Sequence, residues 1–296
     1  MKNDFKLSEF LAPYKDGVSW EVYDSKSAAV GWIILFFGIA VPLCLSFGFF
    51  ELGIMYRDVV NLNAYAWIIG AISLSIFMSA RWISRRFFIR DELDLALADS
   101  RSPVIFLRPF SVDSLTAPML GESTGFNVFY FGWRWSIQAE IYKQIGKFAP
   151  VLCIGRPGES LPPVGPVRIY VNNNIWQTVV ANFFEVATLI FVWPGSSTGI
   201  EWELEEISKR GLLYKLVIIT VNAAGEPLDK SGYLDLRQRL DQRINAELPT
   251  NAWHSWFLWF DKSGKAHAID TMKPGGGKDD FDHALGQLKD CLNIGK

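Results

Sequence analysis

Cysteine and histidine are scarce in this sequence, and neither residue type is clustered. The 296 residues include 3 cysteines and 3 histidines. These are Cys44, Cys153 and Cys291, and His254, His267 and His283. The wide spacing of the cysteines excludes a disulfide framework of the kind that staples small secreted domains. The histidines show no metal-ligand spacing. We therefore expect neither zinc chemistry nor another bound metal.

Positive and negative charges are nearly balanced in this sequence. The formal net charge is -2, and basic residues cluster at one place only, at Arg81, Arg85, Arg86 and Arg90. Proteins that bind nucleic acids through their surface present a basic face or run. We therefore expect no direct nucleic-acid partner and assign the arginine cluster to membrane topology and lipid phosphates.

No charged side chain lies within residues 28–50, and the stretch at 64–83 carries only Arg81, close to its end. Each stretch holds about 20 residues, enough for a helix to cross roughly 30 Å of hydrocarbon. Neither shows a polar face, which disfavours a buried soluble hairpin. A secretory signal is disfavoured because the first stretch follows a mixed-charge segment and a second stretch follows it. We predict a cytosolic segment at 1–27 and a transmembrane hairpin within 28–90, with spans at about 28–50 and 64–84.

Basic residues also predict the orientation of this hairpin. The loop at 51–63 contains Arg57 against Glu51 and Asp58, whereas four arginines follow or close the second stretch before Asp91. The positive-inside rule places the chain after the second span in the cytoplasm. With two crossings, the N-terminus lies on the same side. The lipid bilayer is thus the first expected partner.

Residues 102–296 alternate between short apolar runs and helix-length segments. We predict strands at 104–107, 151–154, 167–171, 188–193, 216–221 and near 255–260, and helices at 133–148, 175–187, 199–209, 233–246 and 280–291. Continuously apolar strands are typical of a mostly parallel sheet that is covered on both faces. The expected fold is a doubly wound, three-layer α/β domain. Ligands bind such sheets at the carboxyl ends of the strands, which selects the loops 108–113, 155–163 and 194–199.

The loop at 194–199 leaves a strand and enters a helix. Its backbone N–H groups, with the hydroxyls of Ser196, Ser197 and Thr198, fit an anion at a helix N-terminus. A structural alternative stays open for this loop. Thr198 with Glu201 three residues later forms the pattern of a capping box, which needs no ligand.

Glu203 is the strongest candidate for catalysis. Helical periodicity places it near Ile200, Leu204 and Ile207 on the apolar face, while the other glutamates of this helix point to solvent. Burial would raise the pKa of this carboxyl group, and the helix dipole would lower it. Such a group can orient a sugar hydroxyl, stabilise an oxocarbenium-like centre or act as a nucleophile. The alternative is a glutamate at helix position N4 or N5 that bonds free N–H groups or pairs with an arginine.

Arg108 and Arg156 each follow a predicted strand. Their guanidinium groups fit a phosphate at the edge of the sheet. The alternative for Arg108 is an ion pair with Asp113 or Glu122. The alternative for Arg156 is an ion pair with Glu159.

The run from Gly195 to Leu204, between a buried strand and Lys215, resembles the corresponding element of TIR domains and of the related nucleoside deoxyribosyltransferase and SLOG-like folds. This resemblance implies a flavodoxin-like sheet that binds or cleaves NAD or another nucleotide, with Glu203 as the glutamate that acts on the ribose. The chain departs from TIR enzymes in placing Trp202 next to this glutamate and in lacking a serine-rich first strand at 104–110. Two spans followed by these motifs also resemble uncharacterised bacterial membrane proteins, which implies the bacterial inner membrane.

Two functions from different classes fit these features. The first is a membrane-anchored, cytosolic nucleotide-binding domain that cleaves the N-glycosidic bond of NAD or a related nucleotide, in bacterial stress or antiviral defence. NAD would be its substrate or ligand, and no cofactor is expected. Its site would comprise Glu203 as the catalytic residue and Arg108, Arg156, Ser196, Ser197 and Thr198 as ligand-binding residues.

The second function is a non-enzymatic membrane effector or sensor. Its two-helix hairpin would oligomerise and perturb the membrane when the α/β domain receives a signal, a layout that resembles two-span effectors of bacterial antiviral defence. Small residues in both stretches, such as Gly38 and Gly70, permit close helix packing. We expect a homo-oligomer for either function.

Overall fold

The computed structural model describes residues 5–21, 28–55, 62–85, 87, 89–110, 137–156, 158–159, 165–222, 227–270 and 278–294. Within these ranges the chain combines long apolar helices near the N-terminus with a mixed α/β arrangement around an eight-stranded sheet. The described helices are α1 (Leu7–Leu11), α2 (Ala28–Met55), α3 (Leu62–Arg85), α4 (Ile89–Ala98), α5 (Ile137–Ile145), α6 (Trp176–Val186), α7 (Thr198–Lys209), α8 (Lys230–Asp241) and α9 (Lys278–Cys291). The strands are β1 (Val18–Ser19), β2 (Val104–Leu107), β3 (Val151–Ile154), β4 (Val167–Val171), β5 (Leu189–Val192), β6 (Leu216–Ile219), β7 (Ser255–Phe260) and β8 (Ala266–Asp270).

The sheet is mostly parallel and has the strand order β1-β4-β3-β2-β5-β6-β7-β8. Strands β2 to β6 run parallel to their neighbours among these five, with Val104 opposite both Val151 and Leu189. Strands β1, β7 and β8 join antiparallel. The five parallel strands are short and their residues are nearly all apolar and buried, as expected for strands that pack on both faces.

Alternate side chains of the central strand enter two separate apolar clusters, because successive residues of a strand point to opposite faces. Ile105 and Leu107 lie in one cluster with apolar residues of α6, α7 and α8. Val104 and Phe106 lie in the other with apolar residues of α5 and α9. Helices therefore supply the apolar cover on each face.

The N-terminal segment at 5–21 belongs to the first of these clusters. Leu7 and Leu11 are buried in it. Backbone hydrogen bonds run from Phe5 N to Ser100 O (3.0 Å) and from Asn172 N to the oxygen of Gly17 (2.7 Å). The sequence predicts residues 1–27 as a segment separate from the α/β domain. The structure instead shows that it shares a core with the sheet.

The two long N-terminal helices pack against each other. An ideal Cβ atom built on Gly38 of α2 would clash with the Ala80 Cβ of α3, so the helices approach closely there. Among the described helices, one is long and apolar enough to cross a membrane, over Ala29–Glu51 within α2. The apolar part of α3 is shorter, at Ala66–Arg81.

The predicted strands at 104–107, 151–154, 167–171 and 255–260 are confirmed residue for residue, and β5 and β6 are slightly shorter than the predicted 188–193 and 216–221. Helices α6 to α9 differ from their predicted bounds by a few residues. Predicted residues 133–136 lie outside the described residues. β1, β8, α1 and α4 were not predicted. Strand β8 escaped prediction because Ala266 to Asp270 has only three apolar residues; among the described strands it pairs with β7.

Candidate functional site

The candidate site lies where the strand order reverses direction. From β2 the chain adds β3 and β4 on one side and then crosses to β5 on the other side of β2. The carboxyl ends of β2 and β5 lie side by side at this reversal, which is where open α/β sheets bind ligands. The parallel order β4-β3-β2-β5-β6 corresponds to the order of dinucleotide-binding sheets, whereas flavodoxin-like sheets place one strand rather than two on the first side.

The loops after β2 and β5 touch. Trp193 N donates a hydrogen bond to Leu107 O (2.8 Å). An ideal Cβ on Gly195 would clash with the Pro109 ring. Glycine at position 195 thus allows the second loop to lie directly on the first, because it has no side chain to displace the proline.

Helix α7 begins at the end of this loop, and its cap differs from the predicted one. Ser197 is the N-cap residue, and its Oγ accepts a hydrogen bond from Ile200 N (3.4 Å). Thr198 is the first helical residue and is exposed. Glu201 forms an ion pair with Arg243 (2.8 Å). The capping box between Thr198 and Glu201 is therefore wrong, because the helix starts one residue earlier than that box requires.

Glu203 faces the interior, as predicted. Only 8% of the residue is exposed, and its Oε2 atom has no hydrogen-bond partner in the part of the chain that the structure describes. Since α7 begins at Thr198, Glu203 is the sixth helical residue and lies in the second turn, not at N4 or N5. Burial raises its pKa to about 8, and the positive charge of Arg108 opposes this rise. The dipole effect fades within the first turn, which explains why burial dominates.

Arg108 is the charged neighbour of Glu203. It follows β2 directly, is 6% exposed, and donates from Nη1 to Ile154 O (3.2 Å) at the end of β3. This contact joins the carboxyl ends of two neighbouring strands. The predicted alternative partners, Asp113 and Glu122, lie outside the described residues. The structure thus brings together Arg108 and Glu203, which are far apart in sequence.

Arg156 and Ser196 are exposed, each in the loop after a parallel strand. The alternative ion pair between Arg156 and Glu159 is wrong. Glu159 instead accepts hydrogen bonds from Arg168 Nε (3.1 Å) and Tyr170 Oη (3.0 Å). Arg168 was not among the predicted site residues. The signal that could have identified it is a single charged residue inside an otherwise apolar strand.

A tryptophan pair that links α6 and α7 was not predicted. Trp202, which precedes Glu203 in α7, makes an edge-to-face contact with Trp176 at the start of α6, with ring centroids 4.9 Å apart. Both residues are partly exposed and pack against the first apolar cluster. The two rings thus join α7 to the start of α6.

Within the described residues, no group of three or more histidine, cysteine, aspartate or glutamate side chains is arranged to hold a metal ion. No family model, curated protein or solved structure matches this chain.

Proposed function

We propose that this protein is a membrane-anchored, cytosolic nucleotide-binding protein that cleaves the N-glycosidic bond of NAD or a related nucleotide. The observation that carries the proposal is the Oε2 atom of Glu203, which is buried without a partner among the described residues and lies near Arg108 at the reversal of strand order. A buried polar atom without a hydrogen bond is costly. A ribose hydroxyl of a bound ligand would offset that cost.

Each group at this edge has a role that its chemistry supports. Arg108 and Arg156, with the hydroxyls of Ser196 and Thr198 and the free N–H groups at the start of α7, would bind phosphate oxygens. Ser197 would contribute through its backbone, because its Oγ already caps the helix. The resemblance of α7 to TIR-like domains supports the assignment of Glu203 to the ribose.

In the proposed reaction, the bond between ribose C1′ and the pyridinium nitrogen breaks and its electron pair returns to the base, which leaves as neutral nicotinamide. A water oxygen forms the new bond to C1′ and releases one proton. The Glu203 carboxylate would stabilise the positive charge that develops on the ribose ring. At neutral pH a pKa of about 8 leaves most of the group protonated in the empty site. When the ligand is bound, the positive charge of Arg108 and the cation that develops on the ribose both favour the ionised form of Glu203.

The proposal includes a two-span topology in the bacterial inner membrane with both termini in the cytoplasm. The shared core of residues 5–21 and the sheet supports it, because a chain that crosses once through α2 must cross again before it can rejoin that core. Helix α3, packed on α2 at Gly38, is the element that can return. Helices on both faces of the parallel strands support a doubly wound domain. We also propose a homo-oligomer in the bilayer, since Gly70 of α3 has open space around it.

The decisive experiment measures NAD consumption by the full-length protein in detergent. We expect wild type to release nicotinamide and Glu203→Gln to lose at least about 100-fold in rate, as for loss of a transition-state charge stabiliser. Glu206→Gln is the matched control, since Glu206 lies on the same helix and pairs at the surface with Arg210. Nucleotide binding without turnover would support the binding site and reject the hydrolase activity. The absence of both nucleotide binding and turnover would reject the proposal.

A second candidate function is the membrane effector or sensor. The observation that favours it is the attachment of both flanks of the hairpin to the α/β core, through Leu7 and Leu11 before it and Leu93 and Ala96 after it. A signal on the domain could thus reach both ends of the hairpin. Dye release from vesicles that contain the protein, with and without added nucleotide, tests this function.

A further inference from the structure

A tight turn follows β3 and carries opposite charges at its two ends. Glu159 N donates a hydrogen bond to Arg156 O (3.2 Å), and Gly158 has a φ of 75°. A positive φ of this size favours glycine, which has no side chain to clash with the backbone. The side chain of Arg156 is exposed at the edge of the sheet, whereas Glu159 is largely buried.

Glu159 fastens this turn to β4. One carboxylate oxygen, Oε2, accepts from Arg168 Nε (3.1 Å) and from Tyr170 Oη (3.0 Å). The Arg168 side chain is 1% exposed and that of Glu159 is 11% exposed. Charge-assisted hydrogen bonds are short and strong in such surroundings. These contacts tie Glu159, the last residue of the turn, to β4.

Gly155 completes the attachment. An ideal Cβ on Gly155 would clash with the Tyr170 ring, so this ring lies flat against the backbone at the start of the turn. Gly155 N also donates to Ile169 O (3.0 Å). The turn is therefore fixed to β4 at its first residues through Gly155 and at its last residue through Glu159.

We propose that Glu159, Arg168 and Tyr170 are positioning residues that hold Arg156 in place to contact a phosphate group of the nucleotide ligand. This inference rests on the proposed function. Arg156 follows β3, and Arg108 follows the neighbouring β2 and bonds to Ile154 O. Adjacent strand ends are about 4.8 Å apart, so two guanidinium groups at such ends suit a diphosphate. A preorganised turn reduces the entropy lost on binding.

The test compares two ligands that differ in phosphate. Calorimetry on the full-length protein in detergent measures binding of NAD and of nicotinamide riboside, which has no phosphate. Arg156→Ala should weaken NAD binding by about 10-fold or more, as for a lost hydrogen bond to a charged group, and leave riboside binding within about 2-fold. Tyr170→Phe keeps the ring on Gly155 and the ion pair, and should weaken NAD binding roughly 3-fold to 10-fold with the same selectivity.

Glu159→Gln provides a second variant. If it folds, it should weaken NAD binding more than nicotinamide riboside binding. The double variant Arg156→Ala with Tyr170→Phe should bind NAD no more weakly than Arg156→Ala alone. Two results would overturn the positioning role and leave the nucleotide site in place. One is that Tyr170→Phe weakens the binding of both ligands equally, and the other is that Arg156→Ala leaves NAD binding unchanged. Absence of binding of either ligand to wild type would reject the nucleotide site, and this inference with it.

Discussion

Phe10 of the N-terminal segment packs against Phe183 of α6, with ring centroids 4.5 Å apart. Asn182, the neighbour of Phe183, also donates a hydrogen bond to the Tyr14 hydroxyl group. Helix α6 therefore contacts residues of the N-terminal segment that precedes the first long apolar helix, α2. A fragment that starts at residue 102 would lack these contacts and expose part of the core.

Loss of core contacts from the N-terminal segment should destabilise the whole α/β domain. Leu7 is fully buried, and Leu7→Ala should lower the free energy of unfolding by about 2–5 kcal/mol, the usual cost of such a truncation. Glu9→Ala is the control in the same helix, since that side chain is 70% exposed, and should change stability by less than about 0.5 kcal/mol. Urea denaturation in detergent measures both. Equal stability of the two variants would show that the segment is not part of the core.

The proposed topology places residues 6 and 291 on the same side of the membrane. Cys291 is exposed, so a protein that retains only this cysteine reports the C-terminal side. A protein with only Lys6→Cys reports the N-terminal side. A membrane-impermeant maleimide should label both in inverted vesicles and neither in intact spheroplasts, while Asp58→Cys should behave in the opposite way. Labelling of the two termini from opposite sides would exclude the two-span arrangement.

Close packing of α2 on α3 depends on the absence of a side chain at Gly38. Gly38→Val should separate the helices and lower the thermal stability of the hairpin, because the added atoms meet the Ala80 Cβ. Gly48→Val is the matched control in the same helix, since an ideal Cβ there meets nothing within 4 Å. Disulfide trapping between cysteines placed on α2 and α3 reads out the separation. An equal effect of both substitutions would indicate a general loss of helix stability instead.

The observed cap predicts different effects for two adjacent hydroxyl residues. Ser197→Ala removes the hydrogen bond to Ile200 N and should cost about 0.5–2 kcal/mol of stability. Thr198→Ala leaves the cap in place and should have a smaller effect. Chemical denaturation compares the two variants, and a larger effect at Thr198 would favour the capping box that the sequence suggested.

Burial of Glu203 should make stability depend on pH. Its pKa is raised from 4.5 to about 8, so the folded protein binds more protons than the unfolded chain between these values. The stabilisation is complete below the unfolded pKa and is lost as pH rises through the folded pKa. Wild type should lose up to about 1.4 kcal/mol per pH unit relative to Glu203→Gln in this window. Denaturation at pH 5.5, 6.5, 7.5 and 8.5 tests the slope, and Glu206→Gln should retain it.

Much of the sheet followed from local sequence. Runs such as Val104 to Leu107 are continuously apolar and end at a proline or glycine, and their bounds could be read directly. Helical periodicity was likewise enough to place Glu203 inward, because the period of a helix fixes which side chains share a face. The cap could not be chosen with certainty in this way, since Ser197 and Thr198 are both good N-cap residues.

Local sequence thus determined the parallel strands, the long apolar helices and the inward carboxyl group, because each depends on periodicity within one segment. Only the tertiary structure decided that Arg108 lies near Glu203, that Arg168 rather than Arg156 pairs with Glu159, and that residues 5–21 share the core of the sheet. These relations join segments far apart in the chain. They depend on strand order and on which surfaces meet, and no pattern within a single segment carries that information.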